Sequence, residues 1–182
     1  MRIITGKARG RRLQTLPGED TRPTTDKVKE GVFSAIQFDI EGRRVLDLFA
    51  GSGQMGLEAL SRGAARAVMI DRNHKAVEMI RENCLSCGLQ ADSVVLCTDA
   101  LTFCGGCQED FDIIFLDPPY RSGLLQNALP LAAECLSPYG MMVCEHRVGE
   151  TMPETVGKIS VHRTYRYGQT AVTVYRRAVS DV

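Results

Sequence analysis

The chain has 182 residues and a mass of 20.0 kDa, which is room for one compact domain with at most a small appendage. Its 44% hydrophobic and 24% charged residues, with 17 Gly and 7 Pro, exclude disorder, collagen and coiled coil; no apolar run approaches the ~20 residues of a bilayer-spanning helix, and the basic N-terminus has no apolar leader core, so a soluble, cytosolic protein is expected. A net charge of +0 hides two basic ends, residues 1–29 with eight Lys/Arg against three Asp/Glu and residues 158–177 with five against none, a distribution that suits an anionic partner at the ends or plain solvated charge.

In chain order, alternating segments at Arg2–Thr5 and Arg12–Leu16 around Gly6 and Gly10 predict a small N-terminal hairpin. A loop, Thr21 to Asp26, leads into a helix reaching about Phe38 with Val28, Val32, Phe33, Ala35 and Ile36 on its apolar face. Strand and helix then alternate: strand Arg44–Phe49, helix Met55–Arg62, strand Ala67–Ile70, helix Asn73–Cys87, strand Ser93–Cys97, a short helix near Leu101–Cys104, strand Asp112–Leu116, helix Leu124–Leu136 and strand Met141–Cys144. Such a series implies right-handed crossovers and a mostly parallel sheet covered on both faces. Ile159–Tyr165 and Thr170–Tyr175 around Gly168 predict a closing antiparallel hairpin at a sheet edge.

The first βα turn carries chemistry. Gly51-Ser52-Gly53-Gln54-Met55-Gly56 follows a strand and opens a helix, the setting in which a G-x-G-x-x-G pattern brings backbone N–H groups close to a ligand. Asp47 precedes the loop at a strand end, where it would repel a pyrophosphate and attract an ammonium. Asp71 ends the next strand, placed to accept from two ribose hydroxyls, and Asp99 follows the third, where it could accept from an adenine amine. Three acids at three strand ends suit a cationic nucleoside, and S-adenosylmethionine fits; each acid could also simply cap the helix that follows it.

Asp117-Pro118-Pro119-Tyr120 ends the apolar strand after Phe115-Leu116. Proline stiffens the backbone and removes its N–H, so carbonyls are left without local donors. The Asp117 carboxylate and the Pro118 carbonyl can each accept one hydrogen of an exocyclic amine, and Tyr120 can stack on the base. A base within a helix cannot reach such a corner and must be unstacked. In-line methyl transfer then depends mostly on proximity and orientation. A rigid turn closing a strand is the plain alternative.

Asp47-Leu48-Phe49-Ala50-Gly51-Ser52-Gly53 with Asp117-Pro118-Pro119-Tyr120 resembles a class I, Rossmann-like S-adenosyl-L-methionine-dependent methyltransferase acting on an amine. The stretches R-I-I-T-G-K-A-R-G-R-R-L and T-R-P-T-T-D-K-V-K-E-G-V-F narrow the likeness to the RsmD family of bacterial 16S ribosomal RNA guanine-N2 methyltransferases, from Arg2 to Arg177. The resemblance implies a seven-stranded sheet, mostly parallel with an antiparallel C-terminal hairpin, in a domain spanning residues 24–182, and an RNA-binding N-terminal hairpin extension over residues 1–23. It implies a cofactor site built from Asp47, Phe49, Ala50, Gly51, Ser52, Gly53, Asp71, Arg72, Asp99 and Ala100, with Thr24 and Asp26 close by. Asp117, Pro118, Pro119 and Tyr120 would hold the target guanine; Arg9, Arg11, Arg12 and Arg22 would grip phosphates of 16S rRNA within an assembling small subunit, with the enzyme a monomer. Gln54-Met55 and Lys27 and Lys29 depart from the family pattern.

Other readings compete. The Asp-Pro-Pro-Tyr segment alone would also serve an adenine-N6 methyltransferase; the Gly pattern alone would suit an NAD-dependent oxidoreductase, against which Asp47 stands; a non-catalytic RNA-binding module would leave the Gly loop without a purpose. Cys84-x-x-Cys87 and Cys104-x-x-Cys107 have the spacing of a four-thiolate zinc site, but a strand intervenes, and no metal is expected. Cys97, Cys135 and Cys144 read as core, and His146 as structural. Tyr165 and Tyr167 could stack on RNA or simply belong to an edge hairpin.

Overall fold

The computed structural model describes residues 1–17, 26–120 and 122–177. The described residues form helices α1 (Asp26–Ala35), α2 (Gln54–Ser61), α3 (His74–Cys87), α4 (Ala100–Gly106) and α5 (Leu124–Glu134) and strands β1 (Arg44–Asp47), β2 (Arg66–Asp71), β3 (Ser93–Cys97), β4 (Phe111–Leu116), β5 (Leu136–Arg147), β6 (Thr155–Val156), β7 (Ile159–Tyr167) and β8 (Thr170–Arg177). One sheet holds all eight strands in the order β3-β2-β1-β4-β5-β8-β7-β6. Pairs from β3 through β5 are parallel, whereas β5–β8, β8–β7 and β7–β6 are antiparallel. No helix among the described residues is long and apolar enough to cross a membrane.

Alternation along the strands builds two cores, because successive side chains in a strand point to opposite faces. Val45, Ala67, Met69, Ile113 and Phe115 pack with α1, α2 and α3 on one face. Leu46, Val68, Ile70, Ile114 and Leu116 pack with α4 and α5 on the other. Strand β1 is followed by β2 on one side and by β4, after the excursion to β3, on the other. The winding direction therefore reverses between β1 and β4, and a crevice opens above their C-terminal ends.

Several expectations need correction. The sheet has eight strands rather than seven; β6 is a two-residue edge piece after Pro153, too short to leave a periodic signal. The N-terminal hairpin reduces to a single antiparallel bridge, Arg2 to Arg12. Backbone bonds from Ile3 N to Arg11 O (2.9 Å) and Leu13 N to Met1 O (3.1 Å) flank that bridge, and side chains of the main domain hold the segment in place. Glu58 on α2 accepts from the backbone N–H of Ile4 (2.8 Å) and Thr5 (3.0 Å), Ser61 Oγ donates to Thr5 O (2.6 Å), and Asn83 on α3 accepts from Gln14 N (2.8 Å). Ile3, Ala8 and Leu13 join the first core. Residues 1–17 are thus a strap over α1, α2 and α3, with the boundary at 23/24 outside the described residues.

The first helix ends at Ala35 and passes into a 3-10 turn, Gln37–Asp39, leaving Phe38 exposed. Cys84 and Cys87 belong to the core on one face of the sheet and Cys104 to the core on the other, so the two Cys-x-x-Cys pairs do not converge. Among the described residues no group of three or more His, Cys, Asp or Glu is placed to hold a metal ion. Cys135 and Cys144 are buried as expected, but Cys97 is exposed, because it ends β3 at the open edge of the sheet. His146 is buried, with Nε2 2.8 Å from Thr173 Oγ1 and Nδ1 3.1 Å from the Arg147 carbonyl, a structural role. Tyr165 and Tyr167 pack part-buried against the first core.

Candidate active site

The crevice above β1 and β4 holds a cavity of about 360 Å³. Its walls come from four strand ends: Leu48, Phe49, Ala50, Gly51 and Ser52 after β1, Asp71 and Arg72 at β2, Asp99 and Ala100 after β3, and Asp117 and Pro119 after β4. Pro119 also lines a small adjoining pocket with Pro118, Tyr120 and Glu145. The Asp-Pro-Pro-Tyr corner therefore joins the large cavity to a second recess.

The Gly loop is shaped by two close fits. A Cβ on Gly56 would stand 2.6 Å from Met69 Cγ, so only glycine lets α2 sit this near β2. Gly51 has φ +55°, and nothing lies within 4 Å of where its Cβ would stand, so the chain there presents backbone to open cavity.

The acids divide their work. Asp71 Oδ2 accepts from Gly51 N (3.0 Å) and Oδ1 from Asn73 N (2.8 Å), which locks the Gly loop to β2. Asp99 caps α4, accepting from Thr102 N (3.0 Å) and Thr102 Oγ1 (3.3 Å), both on Oδ1. Asp99 thus both caps a helix and lines the cavity, since a carboxylate has about four acceptor positions, whereas α3 is capped by Asn73 and Asp71 lines the cavity while bracing the loop. Asp47 lies beneath the cavity and not on its wall. It is 2% exposed, its Oδ2 accepts from Gly56 N (3.2 Å), and burial pushes its carboxyl from 3.8 up to about 7, with neighbouring Asp71 adding to the rise.

That burial has a sign-definite consequence. Between pH about 4 and 7 the folded ligand-free protein holds one proton on Asp47 that the unfolded chain has released, so this contribution to stability is greatest on the acid side and falls as pH rises through the window. At 1.36 kcal/mol per pH unit its ceiling is about 4 kcal/mol. Urea midpoints from pH 4.5 to 8 should therefore decline more steeply for the native sequence than for Asp47→Asn; coincident profiles would refute the assignment.

Of the other expected residues, Gly53 sets the entry to α2 with φ +78° but does not line the cavity. Asp26 opens α1 and pairs with Arg2 at 3.8 Å, likewise off the cavity wall. Arg9, Arg11 and Arg12 are exposed on the strap, and among the described residues no ion pair engages them. Thr24 and Arg22 lie outside the described residues. Tyr120 is held by its hydroxyl, which is 3.3 Å from both Glu145 Oε1 and Thr170 Oγ1.

A family model described as conserved hypothetical protein 95 matches residues 1–176. The chain belongs to this family, the RsmD family. Among RsmD-family relatives, the chain is 35% identical to ribosomal RNA small subunit methyltransferase D of Escherichia coli K12, covering 97% of this chain and 90% of that protein. It is 41% identical to YlbH of Bacillus subtilis, covering 97% and 99%. The solved structure of yhhF from Escherichia coli superposes with a TM-score of 0.86 over 99% of each chain at 35% identity. The fold extends further: an RNA methyltransferase from Salinibacter ruber, solved with S-adenosyl-L-homocysteine, is only 19% identical over 87% of this chain and 95% of that one, yet has a TM-score of 0.66.

The RsmD-family motifs did not point to Met1, Thr15, Leu48, Gln54 or Leu124, which complete the cavity. Met1 and Thr15 reach it because the strap is tied down by Asn83, whose Nδ2 also donates to Ser52 O at 3.0 Å in the Gly loop. No local pattern announces a contact between residues 31 positions apart. Glu145 could have been found as the acid of a Glu-His pair at a strand end, though only the fold brings it to Tyr120.

Proposed function

We propose that this protein transfers a methyl group from S-adenosyl-L-methionine to the exocyclic N2 amine of a guanine in 16S ribosomal RNA. The observation that carries the reading is that the Asp-Pro-Pro-Tyr corner, the Gly loop and two strand-end acids share one cavity. The residues fit the cofactor. Three carboxylates, Asp71, Asp99 and Asp117, face a cavity in the size range of small-ligand sites, beside a glycine whose missing Cβ leaves space. Bound there, S-adenosyl-L-methionine supplies a methyl group activated by a sulfonium.

The chain's own groups do the rest. Asp71 accepts from ribose hydroxyls and Asp99 from the adenine amine, while Asp47 braces the loop from below and adds negative potential once ionised. Asp117 and the Pro118 carbonyl accept the two N2 hydrogens of guanine and aim its nitrogen into the cavity. Tyr120, its ring anchored through Glu145 and Thr170, stacks on the base. Asp117 need not be a strong base, because the proton can leave after the methyl has moved. The strap presents Arg9, Arg11 and Arg12 beside a cavity that Met1 and Thr15 help to wall, and Arg22 follows in chain order; these grip RNA phosphates. In this reading the enzyme acts as a monomer, in the cytoplasm, on rRNA of the assembling small subunit.

The test is nucleoside mass spectrometry of 16S rRNA from a deletion strain and of that rRNA after incubation with protein and donor. Loss and restoration of one N2-methylguanosine is expected; appearance of N6-methyladenosine instead would favour the adenine reading. Arg12→Ala should weaken RNA binding and lower the slope of log K against log salt by about one. An unchanged slope would remove Arg12 from the RNA face.

A further inference from the structure

Gln54, the first residue of α2, has no part in the scheme above, yet it lines the main cavity and is only 9% exposed. Its carboxamide oxygen, Oε1, is buried with no hydrogen-bond partner. Native folds keep such atoms rare, because an acceptor stripped of water and given no donor is unfavourable. Among the described residues the two other orphaned atoms, Nε of Arg176 and of Arg177, are on β8 and outside the cavity. Nearby groups are already engaged: Ser52 Oγ donates to Met1 Sδ (3.1 Å), and Ser52 O accepts from Asn83 (3.0 Å). No hydrogen-bond donor among the described residues reaches Gln54 Oε1, and the cavity that Gln54 lines has room for one.

We propose that Gln54 Oε1 accepts a hydrogen bond from the ammonium of the cofactor's amino-acid tail, and so sets the affinity for that tail. The inference rests on the methyl-donor reading above and adds a residue to it. Position selects the tail over the rest of the molecule. The acceptors for adenosine, Asp71 and Asp99, stand at the ends of β2 and β3, and the methyl must face Asp117 at β4. Gln54 follows β1, between these two ends. It also opens an eight-residue helix whose N-terminus favours the carboxylate of the same zwitterion. A departure from the family pattern in the sequence thus becomes a ligand contact of this particular chain.

The test is calorimetry of Gln54→Met with S-adenosyl-L-homocysteine, which has the tail, and with methylthioadenosine, which lacks it, together with melting of the ligand-free protein. Methionine keeps the length of the side chain and removes the orphaned acceptor. Affinity for S-adenosyl-L-homocysteine should fall about tenfold, as for a hydrogen bond to a charged group. Affinity for methylthioadenosine should change less than twofold, and the ligand-free melting temperature should hold or rise. Equal weakening of both ligands, or of neither, overturns the proposal, as does a lowered melting temperature, which would mean that Oε1 has a partner within the protein. If the native protein binds neither ligand, the methyl-donor reading itself fails; that outcome is distinct from the loss of the Gln54 contact alone.

Discussion

Asp117→Ala should bind S-adenosyl-L-methionine within about twofold of the native protein while its turnover on 16S rRNA falls by roughly 10²–10³-fold. Asp117 shares the cavity wall with Asp71 and Asp99 but stands across the sheet from them, at the end of β4 rather than β2 or β3. Removing it leaves the adenosine end of the site intact. What is lost is one of two acceptors that orient the amine, and a misdirected nucleophile forfeits most of the benefit of proximity. Asp117→Asn, which keeps one acceptor oxygen, should fall between the two. Calorimetry with the cofactor and methyl incorporation into rRNA separate the steps; parallel loss of both would mean that Asp117 serves the cofactor and not the base.

Glu58→Ala should destabilise the protein by about 3–5 kcal/mol, since removing one partner of a buried ion pair leaves an uncompensated charge. Glu58 and Lys29 side chains are both 0% exposed, with Lys29 Nζ 3.6 Å from Glu58 Oε2 and 2.5 Å from Arg2 O. Burial pulls the Lys29 ammonium below its ordinary range, and Glu58 is the main opposing influence. Glu58 also receives Arg62 Nε at 2.8 Å and the backbone N–H groups of Ile4 and Thr5. Its loss would orphan the strap as well as the lysine. The urea midpoint measures the effect, and Lys29→Met in the Glu58→Ala background should recover part of it. A single variant costing under about 1 kcal/mol would show that the pair is solvated.

The predicted and observed elements agree where a local pattern decides them. The sequence pattern starts the α3 helix at Asn73, which in the structure is its N-cap, accepting from Lys75 N at 3.0 Å, a difference of one position. Strand Ser93–Cys97 matches residue for residue. Disagreement gathers where long-range contacts override local preference. Arg2–Thr5 and Arg12–Leu16 alternate like strands, but their pairing stops at one bridge, and Glu58 and Asn83 instead accept from Ile4 N, Thr5 N and Gln14 N. Lys29 looks like a solvated helix charge until α2 brings Glu58 beneath it.

By itself, then, the sequence determined a parallel α/β sheet with acids at the ends of successive strands, and a proline-stiffened corner after β4. Period-two alternation, glycine spacing and proline geometry are properties of a few neighbouring residues and need no knowledge of the rest. Only the tertiary structure decided that Asp47 lies under the cavity rather than in its wall, that the cysteine pairs fall on opposite faces, and that Met1, Thr15 and Gln54 close the site. Each of these depends on which distant surface excludes water from a side chain, and burial of that kind is set by the whole packed chain.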